Sequence, residues 1–196
     1  MLRKSVLGVA IVLMSFGCGG GTSPTSPGGD PNSGGSLNVR ITDSPFGAAK
    51  AVLVTFSEVS VQKGSDWTKL PFPDGSASTW TCDLKKLQNN AQDLLASGAP
   101  SSGDYTWVRV VVQSVKVYVA NSAQSATPCA RTIADPGGES YTASVASSEG
   151  KDNGLFVVNS SKATNVTIDF DGESSLKEAG TNVYSLTPVV RVVSVQ

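Results

Sequence analysis

The chain has 196 residues, 16% of them charged, with no histidine and a formal net charge of −1. The lack of histidine excludes Ser-His-Asp and Cys-His catalysis, histidine-ligated metals and the usual proton shuttle. The slightly acidic balance, with no cluster of lysine or arginine, argues against nucleic acid, whose phosphates require a basic face.

The first predicted element is an export signal. Arg3 and Lys4 precede an uncharged apolar run from Val6 to Met14, and Gly17 brings a small residue to the edge of Cys18. That run is shorter than the roughly 20 apolar residues a bilayer span needs, so residues 1–17 read as a leader that is removed. Gly17-Cys18 resembles the lipobox of bacterial lipoproteins, with Ser15 where leucine is usual and Leu13 two residues earlier. Ordinary cleavage nearby, leaving Cys18 idle, is the plainer alternative. If Cys18 carries a lipoprotein's three chains, each buried methylene contributes about 0.8 kcal/mol and attachment becomes effectively permanent.

Gly19 to Ser36 holds 7 glycines, 3 prolines and 6 serines or threonines in 18 residues. Its apolar surface is too small to offset the entropy of ordering it, and it reads as a flexible tether spanning roughly 20–25 Å. No aspartate follows Cys18, which by resemblance to bacterial lipoproteins implies the outer membrane, facing the periplasm or the surface. Without Arg3 and Lys4 the mature chain has 13 basic against 16 acidic residues, a net charge of about −3.

Residues 37–196 fit a single domain. Leu37, Val39 and Ile41 alternate onto one face of a strand that ends in the turn Thr42-Asp43-Ser44-Pro45. Val52 to Gln62 is a longer strand with a change of phase, Val52, Val54 and Phe56 on one face and Val59 and Val61 on the other. A bulge near Ser57-Glu58 reconciles the halves. Lys63 to Asp66 then turns the chain into a hairpin strand from Trp67 to Leu70. In DLKKLQNNAQDLLASG, Leu84, Leu87, Ala91, Leu94 and Leu95 recur at helical spacing, and Asp83 and Gly98 suit its two caps.

From Tyr105 to Ala120 runs the strongest strand signal, switching phase between Val112 and Val115. Asn121 to Gly154 is too long for a bare loop, which predicts a strand around Tyr141 to Val145 and a tie at Cys129. Strands over Leu155 to Val158, Val166 to Phe170, and Tyr184 to Val195 around Pro188 complete the pattern. The expectation is an all-β sandwich, immunoglobulin- or transthyretin-like, of about seven to eight strands with one short helix.

With Cys18 lipidated, Cys82 and Cys129 remain, an even number in an oxidising compartment. A bond between them closes a loop of about 47 residues and stabilises by about 3–4 kcal/mol on the chain-entropy model. Two buried free thiols are the alternative. Two thiols without histidine fall short of a zinc set. Asp169 and Asp171 alternate onto one face, with Glu173 beyond them, and Asp43 joins them if its strand end lies close. Hard oxygen ligands of that kind suit calcium, but a solvated face on which Asp171 caps the Gly172 turn is the favoured arrangement, and no cofactor other than calcium has candidate ligands here. Trp67, Trp80, Trp107, Tyr105 and Tyr118 would stack on sugar rings if exposed together, and otherwise belong to the core or an edge. Tyr105 and Trp107 are expected on one face with Arg109.

Asn165 to Val193 (NVTIDFDGESSLKEAGTNVYSLTPVVRVV) resembles the bacterial lipoprotein family of domain of unknown function 4382. The resemblance rests on Asp169-Phe170-Asp171, a following Ser174 or Ser175, and Tyr184-Ser185-Leu186-Thr187-Pro188. It extends to the opening Leu37 to Pro45, to Asp83-Leu84 with Leu87, and to Gly103-Asp104-Tyr105 before the long strand. Asn121 to Ala134 departs from the pattern. The family implies a β-sandwich on a lipid tether and no known activity.

No catalytic constellation stands out, and the sequence is expected to specify a non-enzymatic lipoprotein held to the membrane by its anchor, serving in binding or envelope structure. A glycan, another protein, or a second copy through an edge strand such as Tyr184 to Val195 are the expected partners. A carbohydrate-binding module is the alternative, and a glycan hydrolase with paired carboxylates in a cleft the rival class.

Overall fold

The computed structural model describes residues 34–43, 47 and 49–196; the leader, Cys18 and residues 19–33 lie outside the described residues. In chain order the strands are β1 (Leu37–Thr42), β2 (Ala51–Lys63), β3 (Asp66–Leu70), β4 (Trp80–Asp83), β5 (Asp93–Gly98), β6 (Gly103–Tyr105), β7 (Trp107–Tyr118) and β8 (Cys129–Ala130). They continue with β9 (Ser140–Val145), β10 (Glu149–Asp152), β11 (Phe156–Val158), β12 (Thr164–Phe170), β13 (Leu176–Gly180), β14 (Val183–Leu186) and β15 (Val190–Val195). One short helix, α1 (Gly172–Ser175), separates β12 from β13.

The architecture is an all-β sandwich. A four-stranded sheet in the order β15-β12-β1-β5 faces a nine-stranded sheet ordered β13-β14-β9-β7-β2-β4-β8, with β10 on β7 and β3 on β2. A separate β6–β11 pair completes the sheets. The strand segments outnumber the seven or eight expected because short pieces such as β8 and β10 pair within sequence too brief to show periodicity. Tyr184 to Val195 divides at Thr187-Pro188 into β14 and β15, which belong to different sheets.

β2 and β7 form the spine, and both phase changes become bulges. Phe56 pairs with Val112, but Thr55 pairs with Ser114 and Glu58 with Val111, so Ser57 and Gln113 are each passed over. The extra residues lie on opposite strands and compensate, which keeps Val54, Phe56 and Val59 of β2 and Val110, Val112 and Val115 of β7 inside. At that level Phe56 meets Phe170 of the other sheet edge to face, with ring centroids 5.8 Å apart.

The helix expected from Leu84 to Leu95 does not form. Asp83 caps only a single 3₁₀ turn, Leu84–Lys86, and Asn89 and Asn90 then take left-handed backbone angles (φ 59° and 65°) that end any helix. Asp93 to Gly98 is instead β5, paired antiparallel with β1. Leu84, Leu87 and Leu95 are buried as the helical spacing implied, but by a turn followed by a strand. Gly98, expected as a cap, lies in the ladder opposite Leu37, with Leu70 Cδ2 only 3.1 Å from where a Cβ would stand.

The two ends of the sandwich are distinct. Gly34 bridges Ser101, and Lys63 Nζ, at the end of β2, donates to Ser102 O at 2.5 Å. The chain therefore enters the domain at the Lys63 end of β2. Ala51 marks the far end, about 40 Å away along a strand rising ~3.3 Å per residue.

Candidate functional site

The three candidate calcium ligands do come together, as a capping junction. Asp171 leaves the strand and caps α1, its Oδ1 accepting from Ser174 N at 2.8 Å, with Arg191 Nη2 3.7 Å from Oδ2. Asp43 Oδ1 accepts from Gly172 N at 2.9 Å, and Gln88 Nε2 approaches its Oδ2 at 3.5 Å. One oxygen each of Asp43 and Asp171 is thus turned onto a backbone N–H group, and no group of three or more Asp, Glu, Cys or His among the described residues is placed to hold a metal ion. The cap of Asp171 on the Gly172 turn, the arrangement favoured over a calcium set of Asp169, Asp171 and Asp43, is what forms. Burial pushes Asp43 up to about 7 against the pull of the Gly172 and Gln88 hydrogen bonds, and the charges of Asp169 and Asp171 add to the rise. Burial also raises Asp171, but the Ser174 donors and Arg191 outweigh it and hold its carboxyl below the usual value.

The aromatic residues do not form an exposed strip; among the described residues none is exposed. Tyr105 is buried in β6, stacked on Phe156 at 5.4 Å, with its hydroxyl on Ser101 O at 2.8 Å. Trp80 stacks on Phe72, and Tyr118 is buried. Trp67 and Trp107 are both opposite Gln62 and half-buried, with the Arg109 guanidinium 4.4 Å from the Trp67 ring centre. Trp107 and Arg109 share a face as expected. Tyr105 does not join them, because it belongs to a different strand pair.

Cys82 and Cys129 are directly opposed on β4 and β8, their Cα atoms 4.0 Å apart, and are bonded as a disulfide. The free-thiol alternative is thereby set aside. The bond pins one side of an arm, residues 119–139, that crosses the outer face of the large sheet. Ala123 and Ile133 of the arm pack on Ala51, Leu53 and Tyr118 in a second, smaller apolar cluster. Beside this cluster the arm and the sheet enclose a groove of about 400 Å³.

The groove floor is a row of hydroxyls. Thr81, Thr55 and Ser114 are register neighbours across three strands, with 3.0 Å between the Thr55 and Thr81 Oγ1 atoms. Thr142 extends the polar floor, and Arg131, Thr132 and Ile133 of the arm form the wall. Two cations border it. Lys116 Nζ is 2.8 Å from Asp135, a bond that raises the lysine above its ordinary value, and Arg131 Nε is 2.7 Å from Asp74. No carboxylate is among the described residues lining the groove. The arrangement can hydrogen-bond a hydroxylated ligand, with Leu53, Val115 and Ile133 supplying apolar contact, and a ligand's negative charge would exchange with Asp135 and Asp74 for the two cations. Sequence reasoning missed this groove because the arm is mostly polar; the isolated Ala123, Ile133 and Cys129 were its only signals.

No curated protein and no solved structure was found to match the chain. The family described as a domain of unknown function (DUF4382) matches residues 34–188, from the bridge at Gly34 to the proline before β15, and the chain belongs to that family.

Proposed function

We propose that this protein is a lipid-anchored bacterial envelope protein, held through Cys18 in the outer membrane. Its sandwich domain binds without catalysis a saccharide that carries a negative charge. The observation that carries the binding reading is the groove between the arm and the large sheet, with its hydroxyl floor and its border of Lys116 and Arg131. A saccharide presents hydroxyls and an apolar ring face to such a lining, and an acidic group on it takes the place of Asp135 and Asp74 beside the two exposed cations. The rival hydrolase would need two carboxylates flanking the bond to be cut. The groove lining has none among the described residues, and this supports binding over chemistry.

Two experiments test the reading. In cells, Cys18→Ala moves the protein from the membrane fraction to the soluble fraction; a variant that stays with the membrane refutes the anchor. In calorimetric titration with an oligouronate, Lys116→Gln and Arg131→Gln each weaken binding about ten-fold, the loss expected for one charge-assisted hydrogen bond. A neutral oligosaccharide binds more weakly and is little affected by either change. Equal binding of acidic and neutral ligands by all forms would refute the assigned charge.

A further inference from the structure

Five large aliphatic side chains are exposed among the described residues, and four of them lie in or next to β11 and β15: Leu155 (76%), Val157 (54%), Val193 (54%) and Val195 (44%). Two contacts tie the β11 segment to the β12–β15 pair. Gly154 packs so closely on Val192 that a Cβ would stand 2.3 Å from its Cγ2. At the other end of β11, Val157 O accepts from Thr164 Oγ1 at 3.0 Å, in the strand whose Val166 is opposite Val195. Strand alternation turns Phe156 and Val158 inward, leaving Leu155 and Val157 to face out. Val193 is the residue passed over in the β12–β15 register and is exposed at that edge.

The chain enters the domain on this side. Thr164 N donates to Ser36 O at 2.8 Å, and Gly35 is packed against Val158 and Asn159. Residues 18–33 lead from there to the anchor cysteine. We propose that the Leu155–Val157–Val193–Val195 side is a membrane-contacting face, resting on the bilayer in which Cys18 is held. The proposal depends on the lipid-anchor reading. Exposed aliphatics grouped at the point of attachment are what an interfacial contact requires, since the anchor keeps that side within reach of the lipid. Asp104, opposite Val157 in the β6–β11 ladder, is exposed and sets the depth at the headgroup–acyl boundary, about 5–10 Å, short of the hydrocarbon centre. A second copy adding to the β15 edge is disfavoured. The Asp152 carboxylate already accepts the Val192 N–H at 2.8 Å, and the irregularity at Val193 breaks the ladder that a new strand would need.

The test uses the full-length lipidated chain in phosphatidylethanolamine–phosphatidylglycerol vesicles, carrying an environment-sensitive fluorophore on Val157→Cys or, as a control at the far end, on Thr132→Cys. The label at position 157 is expected to shift to the blue on reconstitution and lose about half its intensity to brominated lipid, whereas the label at 132 changes little. A chain that stays on the vesicles with both labels water-like overturns the membrane face alone. A chain that leaves the vesicles overturns the anchor and the face with it. A blue shift at 157 that is the same without vesicles shows a second copy covering the patch, and overturns the proposal.

Discussion

Asp43 keeps one oxygen on Gly172 N and the other toward Gln88 while only 4% exposed, and burial holds it at about 7. Its folded value therefore lies above its unfolded one, so between about pH 4 and 7 the native state holds a proton that the unfolded chain has released. Stability from this group is full below about pH 4 and falls as pH rises through 7, by at most about 1.4 kcal/mol per pH unit. Asp83, also raised by burial, adds a slope of the same sign. Asp43→Asn can still accept the Gly172 N–H but cannot ionise, and it is expected to flatten the fall in melting temperature between pH 5 and 8. An unchanged slope would mean that Asp43 is ionised throughout. The sequence made the grouping of Asp43, Asp169 and Asp171 legible, because two strand ends rich in carboxylates invite the comparison. What they do there was not legible. It depends on Asp171 leaving the strand to cap α1, and the alternation that predicted a shared face ends one residue too soon.

Among the elements, the long strands were the easiest to read. A valine phase that switches in the middle of a run can be buried on both sides only by an extra residue, and β2 and β7 each supply one opposite the other. The stretch after Asp83 was misread because Leu84, Leu87, Leu94 and Leu95 satisfy a helical period by coincidence; Asn89-Asn90, both left-handed, was the overlooked break. Asp83 itself behaves as a cap whichever element follows. Its Oδ1 accepts from Val52 N and Lys85 N, each at 3.1 Å, while the residue is 1% exposed. Asp83→Ala strands both donors and is expected to cost about 2 kcal/mol in urea unfolding, near the upper end for a lost cap. The arm is held differently, by a disulfide across 47 residues and a small apolar cluster. Cys82→Ser with Cys129→Ser is expected to lower stability by about 3–4 kcal/mol and to weaken oligouronate binding, because Arg131 and Thr132 lose their fixed place. Dithiothreitol should reproduce both effects in the unaltered chain and neither in the double variant.

At the scale of the molecule, β2 links the two proposed functions. Its Lys63 end lies where the chain enters, near the aliphatic side formed by β11 and β15, whereas Leu53 and Thr55 of the groove lie toward the opposite end. Eight residues separate Lys63 from Thr55, roughly 26 Å at strand rise. If the Leu155–Val157–Val193–Val195 side rests on lipid, the groove stands well clear of it and opens to solvent. Sites that far apart, with no shared partner, are expected to act additively to within about 0.5 kcal/mol, roughly a two-fold change in affinity. The lipidated protein on vesicles and the soluble Cys18→Ala form should therefore bind an oligouronate with the same dissociation constant within that factor, when titrated at one ionic strength on vesicles of neutral lipid. Neutral lipid matters, because an anionic surface would repel the ligand over a Debye length and imitate occlusion. A loss of affinity well beyond two-fold on neutral vesicles would place the groove against the bilayer and reverse the orientation drawn from β2.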